Sequence, residues 1–95
     1  MIFAEMEYPS TYTAFHAELE AFLARSFSNV KSGILNDSWF WIFDEGEKVA
    51  IDTFSSMKHQ IKSAKPGPHV QRVIEVLSSK YKLNVYEEPV LEGHE

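Results

Sequence analysis

The run Trp39-Phe40-Trp41-Ile42-Phe43 constrains the fold more than any other segment of the chain. Large apolar residues in unbroken succession, mostly aromatic, favour an extended conformation, and a strand that is apolar on both faces belongs inside a packed sheet. The polar turn Asp44-Glu45-Gly46-Glu47 follows, and then the β-prone Lys48-Val49-Ala50-Ile51-Asp52-Thr53-Phe54, so the segment predicts a hairpin. Alternation puts Trp39, Trp41 and Phe43 on one face and Phe40 and Ile42 on the other. Only one set can meet the layer that covers the sheet, and the sequence leaves open which.

The flanking segments supply that layer. Ile2, Ala4, Met6 and Tyr8 alternate with Phe3, Glu5 and Glu7 as in a half-buried strand, which Pro9 ends. Ser10 or Thr11 can cap a helix near 11–27 whose apolar face is Tyr12, Phe15, Leu19, Phe22 and Leu23. Residues 29–35 can form a short strand before the turn Asn36-Asp37-Ser38. Beyond the hairpin, Ser55-Ser56 turn the chain into a further strand with Met57, His59 and Ile61 on one side and Lys58, Gln60 and Lys62 on the other. Lys65-Pro66-Gly67-Pro68 then opens a second helix near 68–81, where Val70, Val73, Ile74, Leu77 and Tyr81 make an apolar stripe. Leu83-Asn84-Val85-Tyr86 closes as a strand.

These elements predict an α+β two-layer sandwich: a mostly antiparallel sheet of four to five strands with two helices on one face, in the order β-α-β-β-β-α-β. Without a strand at 29–35 the order becomes ferredoxin-like. At 95 residues there is room for one core, so residues 1–88 are expected to be a single domain, and the acidic 89–95 segment is expected to fray. Two helices cover only one sheet face, which leaves apolar residues of the 39–43 strand on the other.

Several chemistries are excluded or lack a full set of residues. Without cysteine there are no disulfides, thiolate metal sites or thiol nucleophiles. The amino terminus reaches Glu5 without a basic or apolar leader, and the longest apolar run is the five residues 39–43, against the ~20 of a membrane helix, so the expectation is a soluble cytoplasmic protein with no membrane partner. His16 and Glu20 stand at i and i+4 on the first helix, but nothing completes a metal set, and the pair reads as a polar helix flank. Asp52 interrupts an apolar run: a buried carboxylate there could serve as a general acid or base, while one paired to Lys48 or a Ser55 hydroxyl would be structural. Asp52, Ser55, Ser56 and His59 match a triad by residue type, yet there is no nucleophile elbow and no glycine pair for an oxyanion hole. The reading is therefore non-enzymatic, with no catalytic residue, cofactor or metal.

Charge is divided unevenly. Residues 58–82 hold Lys58, Lys62, Lys65, Arg72, Lys80 and Lys82 against Glu75 alone, a local balance of +5 in a chain of net charge −5, so the remainder carries −10. That acidity argues against nucleic acid. The function read from these patterns is protein–protein interaction, with the chain itself as a candidate partner in a homodimer, through Trp39, Trp41 and Phe43, with Lys58 and Lys62 at the rim. The alternative is a small anion or nucleic-acid binder on the basic 58–72 segment, using Lys58, His59, Lys62 and Lys65 near the second helix start.

Overall fold

The structure, a computed structural model, describes residues 1–92. It is an α+β two-layer sandwich built from β1 (Ile2–Glu7), α1 (Tyr12–Ser26), β2 (Val30–Ile34), β3 (Ser38–Asp44), β4 (Glu47–Asp52), β5 (Gln60–Lys62), α2 (Pro68–Ser78) and β6 (Lys82–Val90). The sheet has six strands, not four or five, in the order β2-β3-β4-β5-β1-β6, and every pairing is antiparallel. The 29–35 segment is a strand: it lies along β3 from Val30 opposite Ile42 to Ile34 opposite Ser38, so the ferredoxin-like order does not apply, and the strand beyond the expected order is β5. No helix among the described residues is long and apolar enough to cross a membrane.

Local chemistry sets the element ends. The Thr11 hydroxyl accepts from the Ala14 N–H at 3.2 Å and caps α1, while Pro68 begins α2. Glu45 and Gly46 both take positive φ, at 50° and 80°, so β3 and β4 join through the two-residue turn whose twist suits a hairpin.

Register decides which aromatic set is inside. Phe40 pairs with Ile51, which pairs with Ile61, which pairs with Ala4, and all four side chains are buried under the helices. Phe15, Leu19 and Leu23 of α1 and Val70, Val73, Ile74 and Leu77 of α2 complete this core. Trp39, Trp41 and Phe43 take the open face and are half-buried.

Three boundaries differ from expectation. The register of β1 shifts between Ile2 and Ala4, which sends Ile2 to the open face opposite Lys62 and admits Phe3 to the core, so the plain alternation over 2–8 holds only from Ala4 onward. β5 is three residues long, and Met57 is exposed in the loop before it. β6 runs from Lys82 to Val90, opposite Ile2, beyond the strand read at 83–86; the last residues of the 89–95 segment, 93–95, lie outside the described residues.

Gly33 lies opposite Trp39 on the open face, and a Cβ there would stand 2.7 Å from the indole. Gly33→Ala is therefore expected to displace Trp39 and cost about 1–3 kcal/mol, as overpacking does. Denaturant unfolding followed by tryptophan emission checks both effects.

Candidate functional site

Reading across the strands maps the open face. One row is Gly33, Trp39, Asp52, Gln60, Glu5 and Asn84, and the next is Lys31, Trp41, Ala50, Lys62 and Ile2; Phe43 and Lys48 pair beyond them. The two indoles meet with centroids 4.7 Å apart. The Lys48 ammonium sits 4.6 Å from the centroid of Trp41, and the Lys31 ammonium 5.8 Å from that of Phe43. Leu35 and Phe54 extend this surface at the loop end beside Trp39, and both are exposed.

At the centre of the face Lys62 is nearly inaccessible. Its ammonium donates to Asp52 Oδ1 at 2.7 Å and to Glu92 Oε2 at 2.9 Å, and Glu92 also accepts from the Ser55 hydroxyl at 3.0 Å. Burial opposes the charge on Lys62, but the two carboxylates outweigh it and hold its pKa above the ordinary lysine value. Asp52 thus pairs with Lys62, one strand over, in place of the expected Lys48 or Ser55, and its other contact is the Phe54 N–H at 3.2 Å.

The residues nominated for an anion do not converge. Lys58 donates to the carbonyls of Tyr8 and Ser10, each at 2.7 Å; His59 is fully buried; Lys62 is held by its carboxylates; Lys65, beyond the other end of β5, pairs with Glu47 at 2.9 Å. Lys58 is likewise not at the rim of the aromatic face, because its ammonium is tied to the β1–α1 junction. Of the nominated partner-binding residues, Trp39, Trp41, Phe43 and Lys62 share one surface.

A second constellation lies beneath the sheet. The His59 ring nitrogens stand 2.7 Å from the Tyr8 hydroxyl through Nδ1 and 2.7 Å from Ser38 Oγ through Nε2. Ser38 Oγ is in turn 2.6 Å from His16 Nδ1, and His16 Nε2 lies 3.8 Å from Glu20. Ser38 also donates its N–H to Thr53 Oγ1 at 3.1 Å. Phe15 and Phe40 pack beside the His59 ring, and Phe40 stacks on His16. Burial, with a smaller contribution from His16, lowers His59 to about 4, and burial raises Tyr8 to about 12.

Sequence reasoning missed this cluster because its members are far apart along the chain. The available signal was that each occupies an inward register position: Ser38 with Phe40 and Ile42, His59 with Ile61, and His16 beside Phe15 and Leu19. Ser38 and His59 have no access to solvent, while Tyr8 is half-buried. No group of three or more metal-ligating side chains is present among the described residues. Comparison with family models, with curated proteins and with solved structures finds no match.

Proposed function

We propose that this chain is a protein-binding module that docks through its open sheet face, and that its partner is a second copy of itself. The observation that carries the reading is the division of charge across that face. Asp52 and Lys62 neutralise each other at the centre. Lys31 and Lys48 then stand among the aromatic rings on the β2–β4 half, and Glu5 and Glu92 stand on the β5–β1–β6 half.

A two-fold axis parallel to the strands and midway between two facing sheets lays the aromatic, basic half of each copy over the acidic half of the other. The arrangement is self-complementary and closes at two chains. Facing sheets pack about 10 Å apart, which lays the half-buried rings of Trp39, Trp41 and Phe43 of each copy over the β5–β1–β6 half of the other and removes them from water, while the charges set the orientation.

Sedimentation equilibrium at micromolar concentration tests the proposal. A dimer is expected at about 0.1 M salt and, because apolar burial is not screened, a weakened dimer at about 0.5 M. Lys48→Glu, which would set acid over acid, is expected to raise the dimer dissociation constant about tenfold or more. A monomer at both salt concentrations, or a dimer indifferent to Lys48→Glu, would sink the proposal.

A further inference from the structure

We propose that Tyr8, His59, Ser38 and His16 form a one-way hydrogen-bonded relay that ends toward Glu20, and that this relay is an acid-released pin holding the β1–α1 junction and the 53–59 loop against the sheet. The direction follows from counting protons. The Ser38 hydroxyl has one hydrogen and lies between two imidazole nitrogens, so it donates to one and accepts from the other. The Glu20 carboxylate faces His16 Nε2 and favours a hydrogen there, which leaves His16 Nδ1 to accept.

The remaining assignments follow in order. Ser38 donates to His16 Nδ1 and accepts from His59 Nε2–H; His59 Nδ1 is then bare and accepts the Tyr8 hydroxyl proton. Tyr8, His59 and Ser38 each donate to an acceptor within 2.7 Å, and the His16 Nε2–H is directed toward Glu20 Oε2 at 3.8 Å, the satisfaction that a buried polar network needs. In the reverse direction a bare His16 nitrogen would face Glu20, and the Tyr8 proton would lose its acceptor.

An added proton breaks this chain at one point. With a proton on both nitrogens, His59 presents an N–H to the Tyr8 oxygen, which already receives the His59 backbone N–H at 3.3 Å. The Tyr8 hydroxyl must then turn out of the relay. Among the described residues no carboxylate touches the ring to offset the new charge: the α1 residues beside it are Phe15 and, through Ser38, His16, those of β3 are Phe40 and Ser38, and from the β1–α1 junction Tyr8 touches it. Glu5 acts on Tyr8, Glu20 lies beyond His16, and the Lys58 ammonium, 4.3 Å from the centroid of Tyr8, adds like charge. The segments joined at His59 are consequently the ones released.

Nuclear magnetic resonance of the whole chain tests both halves. Long-range proton–nitrogen correlation at neutral pH should find His16 and His59 as Nε2–H tautomers, and Glu20→Gln, which removes the directing charge, should admit Nδ1–H at His16. Lowering the pH to about 4 should raise amide exchange at residues 8–16 and 53–59, relative to free-chain rates, by about tenfold or more while α2 keeps its protection. Tyr8→Phe, which keeps the ring stacked on Phe15, should loosen the same segments at neutral pH. A Nδ1–H tautomer at His59 in the wild type, unchanged exchange on acidification, or equal loss of protection in α2 would each overturn the proposal.

Discussion

Phe40→Ala should bring the domain close to unfolding. The ring is fully buried at the crossing of both layers, stacked on His16 and paired through the sheet with Ile51. Truncating such a side chain removes about 3–5 kcal/mol. That is a large share of the roughly 5–15 kcal/mol that holds a domain of this size together. Thermal unfolding should show the midpoint falling by more than about 10 °C. In protein dilute enough that copies do not associate, Trp41→Ala, one residue away but on the half-buried open face, should cost less than half as much. Equal losses at the two positions would mean that both faces are covered in the folded protein.

Acid should remove the next largest share of stability. His59 is held to about 4 in the folded chain, against 6.5 for an ordinary histidine, because burial disfavours its charged form. The unfolded chain therefore binds the proton first as pH falls. Stability is complete above about pH 6.5 and declines between there and about pH 4, by an amount of the order of 3 kcal/mol. Urea midpoints taken at half-unit intervals across that range should trace the decline. A His59→Gln variant, whatever its stability at neutral pH, should lack most of the slope, and a slope retained in that variant would assign it to other groups. At the alkaline end Tyr8, pushed up to about 12, contributes in the opposite sense: it favours the folded state below its unfolded value near 10, and this is lost as pH rises through about 12.

The sheet layer was legible wherever a single segment carried its own pattern. The two β-prone runs around Glu45-Gly46 specified the hairpin; the 3.6-residue spacing of Phe15, Leu19 and Leu23, and of Val70, Val73, Ile74 and Leu77, specified two helices with one buried face each. The strand at 30–34 was harder to read because VKSGI has little alternation of its own. It is held by hydrogen bonds to β3 and by the fit of Trp39 against Gly33, both of which depend on a partner strand. The strand limits at β5 and β6 were missed for the same reason: pairing with β1, not local propensity, starts one at Gln60 and carries the other through Pro89 to Val90.

Composition and periodicity by themselves determined that this chain buries one core between an antiparallel sheet and two helices, since burial of apolar stripes is a property of spacing along the chain. They also separated the 39–43 strand into two alternating sets, one of which must lie on the open face. Only the tertiary structure decided that Phe40 points inward and Trp41 outward, because a strand apolar on both sides fits either way until its neighbours fix the register. It alone brought Lys62 to Asp52 and Glu92, and Tyr8, His59, Ser38 and His16 into one chain of hydrogen bonds. A buried polar group is stabilised by whatever lies within about 3 Å of it, and for these residues that neighbour is up to 51 positions away in sequence.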